Sequence, residues 1–507
     1  MKEVARDPAC NLSRGRAAAV LAFFALSFTV YLIRIVSVWR YGALFCSTAV
    51  ESPMIDSVWR CMHHRPVYGW PFAFPFFLSL YNYLFYYAYA SVLRLTGAWD
   101  VGILTWGRQL TLLFALAGAI AQWRLVRSLL SLRGASSALS LSLALGLWLC
   151  SSLIKYWALT IRPDMAALAL VMIALWVIVR HPRYCFVYAA ILLYLAWAFK
   201  QSVVLAFVSL CFWLLFNKRW RDLSMLVATF GLLVTATLLV GSPEYRFSIL
   251  IAPQMVKGFA FGIPWILHAL GTGATAVLLN IYWVAAPIVL VRASGGVHRV
   301  DSKLRPLMIV FTFALIVGLA GMGKVGGTSN YLFEAFAAGS TLLQVAVFTM
   351  PGRLVTYLIL IGCVQPALQI AGVVVGYHVP GKRDMVPIAT AAEYADAMAL
   401  RERLAVMKKP IFTTDGAFEL PWISTDDGAP ALVIDPNFQE VARAREQNGG
   451  IEGMLQRGEI PTVMLSPSDL VSLKSLNPNY RKVGESIQQG VTYSIYEFNA
   501  ETSALAH

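Results

Sequence analysis

Three groups of polar residues interrupt an otherwise apolar chain, and each has the residue types of a reaction between charged partners. In the first, Glu51 and Asp56 are followed by Arg60, His63, His64 and Arg65. A carboxylate held among cations is a candidate general base for a hydroxyl acceptor, which loses its proton as it attacks. The same residues also suit plain interface ion pairing of Glu51 and Asp56 with Arg60 and Arg65. His63 and His64 are adjacent, so on a helix they diverge, whereas a two-ligand metal site uses i,i+3 or i,i+4 spacing.

The second group is Lys155, Arg162, Pro163 and Asp164, with Lys200 further on. Pro163 and Asp164 suit the first turn of the apolar helix that follows, where proline costs no hydrogen bond and a carboxylate meets the positive end of the helix dipole. Arg162 and Lys200 have no such local explanation. A guanidinium fork and a point-charge ammonium together suit a phosphate, with snorkelling to lipid headgroups as the alternative. The third group lies in GMGKVGGTSNYLFE, residues 321–334. It lacks the GxxxxGK[ST] pattern and no strand precedes it, so it is not a nucleotide phosphate loop. Its glycines permit tight turns, and Lys324, Asn330, Tyr331 and Glu334 offer polar contacts.

These groups must be positioned by apolar helices. Of 507 residues, 58% are hydrophobic and 13% charged, about half the charge of an ordinary soluble domain. A soluble enzyme, a secreted disulfide scaffold and a DNA-binding protein are excluded as whole-chain readings. A membrane-spanning helix needs about 20 mostly apolar residues. Candidates are 17–38, 107–123, 137–153, 165–180, 223–241, 270–291, 306–322, 331–350 and 354–376. The 33-residue stretch 184–216 reads as two short helices turning at Lys200, which brings the expectation to eleven spans. Ala17–Val38 is too long for a signal-peptide core and lacks a small-residue cleavage site, so it reads as an anchor helix.

Residues 72–97 are apolar but rich in Tyr and Phe, which favours the membrane interface. Charge decides the matter. Residues 1–376 hold 29 Lys and Arg against 10 Asp and Glu, and residues 377–507 hold 12 against 17. If 72–97 does not cross, 17 basic residues of short segments fall on one side, cytoplasmic by the positive-inside rule. Glu51, Asp56, Asp100, Asp164, Glu244 and Glu334 then face outward, with the first outer loop at about 39–106 and the C-terminal segment. The basic balance thus belongs to membrane loops and implies no nucleic acid.

From 377 onward, short β-type runs (409–414, 429–435, 461–465, 491–498) alternate with helical patterns (388–407, 437–457, 467–475), the signature of a small α/β domain with a mainly parallel sheet. The expected organisation is a polytopic α-helical membrane module over 1–376 and an extracytoplasmic α/β domain over 377–507. The seven cysteines form no CxxC pair. Cys46 and Cys61 share the first outer loop, and whether they pair is left open.

Taken in order, Glu51-Ser-Pro, Arg65-Pro-Val-Tyr68, Tyr81-Asn-Tyr-Leu-Phe-Tyr86, Arg162-Pro-Asp164, Lys200-Gln201 and Gly327-Thr-Ser-Asn-Tyr-Leu-Phe-Glu334 resemble the GT-C class of integral membrane glycosyltransferases. The nearer resemblance is to the branch of protein O-mannosyltransferases and the lipid A aminoarabinose transferase (family 39-like). It covers roughly residues 15–376. It implies a multi-pass protein of the bacterial inner membrane that moves a hexosyl or pentosyl group from a polyprenyl-phosphate carrier to a glycan, lipid or protein acceptor, usually with inversion. It also implies Glu51 as catalytic base, with Asp56 and Asp164 as alternates. Arg162 and Lys200 would face the carrier phosphate, helped by Lys155 and Lys324, and Tyr68, His64, Asn330, Tyr331 and Glu334 would line the sugar or acceptor side. The family's commonest pattern is an adjacent Asp-Glu pair, whereas Glu51 is followed by Ser, which leaves dependence on a divalent metal open; no other cofactor is implied. A transporter or flippase of lipid-linked saccharides is the rival reading, against which stands the lack of an inverted repeat between halves.

Overall fold

The computed structural model describes residues 12–41, 51–73, 78–99, 101–151, 153–180, 184–255, 263–296, 299–323, 329–375, 391–413, 432–433, 449–465, 476–488 and 491–499. The helical part opens with α1 (Arg14–Arg40), α2 (Glu51–Met62), α3 (Tyr83–Leu95), α4 (Val101–Leu130) and α5 (Gly134–Cys150). A 3₁₀ turn (Lys155–Leu159) leads into α6 (Asp164–Arg180), α7 (Cys185–Phe199), α8 (Leu205–Phe216) and α9 (Trp220–Val240). Next come α10 (Pro243–Arg246), a π turn (Phe247–Ile251), α11 (Ala252–Met255), α12 (Ile263–Leu279), α13 (Ile281–Val284) and α14 (Ala286–Ala293). The series ends with α15 (Arg305–Met322), a 3₁₀ turn (Ser329–Leu332), α16 (Phe333–Thr349) and α17 (Leu354–Val375).

Among the described residues, six helices (α1, α4, α9, α15, α16 and α17) are long and apolar enough to cross a membrane, or seven if the bent pair α12 with α13–α14 is one span. This corrects the expectation of eleven. Apolarity was present in every expected stretch, but α5, α6, α7 and α8 end after 12–17 residues, short of the length a 30 Å hydrocarbon layer requires. The stretch 270–291 also breaks, bending by 84°. Asn280 sits at that bend, its amide donating to the Ala276 carbonyl at 2.8 Å and its Oδ1 accepting from the Trp283 indole at 2.8 Å. The turn at Lys200 between α7 and α8 is as expected. So is the short run of the Tyr-rich stretch, whose helix α3 is only 13 residues long.

α16 is the axis of the bundle: every residue from Phe333 to Phe348 is buried. Its many Ala, Gly, Ser and Thr side chains let neighbouring backbones approach closely. Its last carbonyls lack intrahelical partners, and buried Arg16 on α1 supplies them, donating to Val347 and Met350 at 2.8 and 2.7 Å and to Gly352 at 2.7 Å. After the membrane part, α18 (Ala391–Ala405), β1 (Ile411–Thr413), β2 (Leu432–Val433), α19 (Gly450–Arg457), β3 (Thr462–Leu465), β4 (Tyr480–Gln488) and β5 (Val491–Phe498) form a small domain around a sheet of order β2-β1-β3-β5-β4. β1 is parallel to β2 and β3, as expected, but β5 is antiparallel to both β3 and β4. The sheet is therefore mixed. β4 was not foreseen, because Lys482, Gly484 and Glu485 break the apolar alternation that marks a strand. The expected helix 467–475 lies outside the described residues.

Candidate functional site

Glu51 is the first residue of α2 and is fully buried. It meets Arg108 of α4 in a fork, Nε to Oε1 at 3.3 Å and an Nη to Oε2 at 3.1 Å, with both side chains wholly buried. Its Oε1 also accepts the backbone N–H of Ile161 at 2.6 Å. Sequence reasoning did not single out Arg108. The signal was there: an arginine inside an apolar helix needs a partner, because a lone charge is costly in the membrane.

One residue beyond Ile161 begins the second charged group. Asp164, at the start of α6, is paired on one oxygen with Arg162 at 3.0 Å and on the other with Lys200 from the α7–α8 turn. The Arg162 guanidinium lies 4.2 Å from the Trp157 ring and 5.5 Å from the Tyr81 ring, and it donates to the Tyr81 hydroxyl. Lys200 is 5.8 Å from the same Tyr81 ring. Two cations thus share one carboxylate between an indole floor and a phenol roof, an arrangement in which each ring face favours the charge. Tyr81 is only half-buried, so the roof faces outward.

The two groups are held by one short piece of backbone. Gly107 lets residue 161 approach α4, since a Cβ there would lie 2.6 Å from the Ile161 side chain. Thr111, one turn on, donates to the Thr160 carbonyl at 2.8 Å. Tyr89 of α3 bonds Thr111 at 2.7 Å and reaches the Arg162 carbonyl at 3.3 Å. α2, α3 and α4 therefore all anchor the segment 160–162. The roof is tied down as well: Gln201 donates to the Leu80 carbonyl at 2.6 Å, and Tyr68 donates to the Tyr81 carbonyl at 3.0 Å. Burial pushes the Tyr68 phenol well above its ordinary value, so it remains a donor at neutral pH.

Glu334, at the start of α16, accepts from the N–H groups of Ala206 at 2.7 Å and Leu205 at 3.3 Å, which caps α8. It also acts electrostatically on Lys200. The residue named for the sugar side thus orders the turn that carries a named phosphate ligand. Tyr331 packs its ring on Gly321 and its carbonyl on Gly318, where a Cβ would lie 2.8 and 2.6 Å away. Asn330 is half-buried in the adjoining 3₁₀ turn.

Other expected members stand apart. Asp56 pairs with Arg60 at 2.7 Å, an ordinary i,i+4 contact along α2. His64 lies past the far end of that helix, about 20 Å from Glu51 at 1.5 Å per residue, and contacts Arg94. His63 stacks on Trp59. Lys155 lies on the 3₁₀ turn, and Lys324 is outside the described residues. Cys61 is a buried free thiol, and Cys46 is outside the described residues. Among the described residues, no three of His, Cys, Asp and Glu gather as a metal site.

A bundle of long apolar helices with buried ion clusters at helix ends and a small C-terminal sheet domain defines a multi-pass membrane protein. No protein-family model matches the chain, and no curated protein matches it. Among solved structures, the crystal structure of ArnT from Cupriavidus metallidurans bound to undecaprenyl phosphate is similar, with a TM-score of 0.59 at 12% sequence identity over 94% of this chain and 97% of that one. The apo state of that ArnT aligns at 0.47 and 12% identity, over 95% and 98% of the two chains. The shared feature is the fold, matched over nearly the whole of both chains.

Proposed function

We propose that this protein is a glycosyltransferase that moves a sugar from a polyprenyl-phosphate carrier to a hydroxyl acceptor at the outer face of a bacterial inner membrane. The observation that carries the reading is the Arg162–Asp164–Lys200 cluster: two buried cations on one carboxylate, beneath an aromatic roof, in a fold shared with a protein whose structure holds undecaprenyl phosphate. An anionic leaving group needs such a site. The carrier phosphate displaces the Tyr81 hydroxyl from Arg162 and meets the Arg162 and Lys200 charges, so the charge that develops on the leaving oxygen is met by groups already in place.

In the reaction proposed, the acceptor oxygen forms a bond to the anomeric carbon as the bond from that carbon to the phosphate oxygen breaks. The acceptor's proton passes to Glu51, and polyprenyl phosphate leaves with the bonding pair. Attack from the face opposite the phosphate inverts the centre. Arg108 and the Ile161 N–H support this role for Glu51 by favouring its ionised form. Asp164, held by both cations, orders them for the phosphate. No metal or other cofactor enters this scheme.

The test is transfer of radiolabelled sugar from a polyprenyl-phosphate donor by the purified protein in liposomes. Transfer that is present in the wild type and weakened in Arg162→Ala and Lys200→Ala supports the reading. Movement of the labelled lipid between leaflets without any transfer to acceptor would show a flippase instead.

A further inference from the structure

On the half of the bundle away from the Arg162 cluster, α8, α14 and α15 enclose a groove of about 750 Å³. Its place follows from the chain. The Leu205 end of α8 meets Glu334 beside Lys200, and the groove lies at the other end, by Phe212 and Phe216. At 1.5 Å per residue, the 12-residue α8 separates the two by about 18 Å. The chain bends by 84° at Asn280 before α14, and the groove lies between α14 on one side and α8 and α15 on the other.

The lining is apolar, with Phe212, Phe216, Ile288, Met308 and Ile316 among its walls. The exception that matters is Arg292, in the last turn of α14. It is exposed, as are Lys218 just after α8 and Lys303 and Arg305 at the head of α15. The nearby acids are fewer: Asp222 pairs with Arg219, and Asp301 Oδ1 accepts the Lys303 backbone N–H. A hydrocarbon trough ending at a set of cations matches an amphiphile with an anionic head.

We infer that this groove is a binding site for an anionic phospholipid of the leaflet opposite the candidate active site, its acyl chain lying against α15 and its phosphate resting on Arg292. The inference does not depend on the transferase reading, since neither Arg162 nor Lys200 takes part. It separates this lipid from the carrier, whose phosphate belongs to the other membrane face.

Native mass spectrometry of the full-length protein, titrated with phosphatidylglycerol or phosphatidylcholine of identical chains, tests it. The wild-type protein should retain one phosphatidylglycerol about fivefold more tightly than phosphatidylcholine, which is what one cation contributes against an anionic lipid. Arg292→Glu should abolish that preference, with Arg292→Gln as the milder variant if the first fails to fold. Ile288→Trp should fill the trough and eject both lipids. Leu267→Trp, at an exposed position of α12 outside the groove, should change neither. An undiminished preference in both Arg292 variants, equal retention of the two lipids by the wild type, or full retention by Ile288→Trp overturns the proposal. So does finding that the retained species is a polyprenyl phosphate.

Discussion

The two buried ion clusters are neighbours in sequence through residues 161 and 162, yet they are built differently. Glu51 and Arg108 are wholly buried and meet through both carboxylate oxygens and the guanidinium fork. Asp164 is outnumbered by Arg162 and Lys200, and the cluster touches a half-buried phenol. Glu334 lies near Lys200 but uses its oxygens on α8. One carboxylate facing one guanidinium balances in charge, whereas two cations on one carboxylate keep a net positive charge that attracts an incoming anion. Burial alone does not separate these cases; the ratio of charges in contact does.

The largest effect should come from opening the Glu51–Arg108 pair. Arg108→Ala removes the guanidinium that buried Glu51 meets, a change that costs about 3–5 kcal/mol and should show as a loss of thermal stability in detergent. Arg108→Met combined with Glu51→Gln should recover most of that loss; if the double variant is no more stable than Arg108→Ala, the pair is not the stabilising unit.

Glu51→Gln keeps the shape and removes the base. Turnover should fall about 100-fold or more, the usual worth of general base catalysis, while donor KM stays near its wild-type value. Near-normal turnover in a folded Glu51→Gln protein would leave Glu51 with a structural role only, and the comparison between the clusters would then be one of scaffold against site.

Lys200→Met should raise donor KM roughly tenfold with a smaller change in stability, as expected for a charge-assisted hydrogen bond of about 1.5–3 kcal/mol to the ligand. An unchanged KM would mean that Arg162 alone holds the phosphate. Tyr81→Phe removes the hydroxyl that competes for Arg162, so donor KM should fall about fivefold, near the net value of one hydrogen bond; a rise would mean that the hydroxyl contacts substrate. The smallest effect belongs to Asp56→Asn. Its i,i+4 pair with Arg60 is the ordinary helical kind, worth about 0.5 kcal/mol, and both melting and transfer assays should register little.

Much of this was legible beforehand, and the reasons are local. Apolar runs announced the helices, and Lys200 marked the turn between α7 and α8. Arg162 and Lys200 stood out because an unexplained cation in an apolar sequence needs an anion. What could not be read was the choice of partner. Glu51, 57 residues before Arg108 and 110 before Ile161, finds both only because Gly107 admits the 160–162 segment against α4. Glu334 was assigned to substrate from its place after a glycine-rich stretch, and it turned out to cap α8 across 128 residues.

The sequence by itself determined that the chain lives in a membrane, where its chemistry-bearing residues lie along the helices, and that a small sheet domain follows, because hydropathy and charge act over windows of a few turns. Tertiary structure decided how many helices reach a full span, which carboxylate meets which cation, and where the chain bends at Asn280. The partners come from segments as far apart as 36, 57, 110 and 128 residues, and short-range pattern carries no information about which distant surfaces will touch.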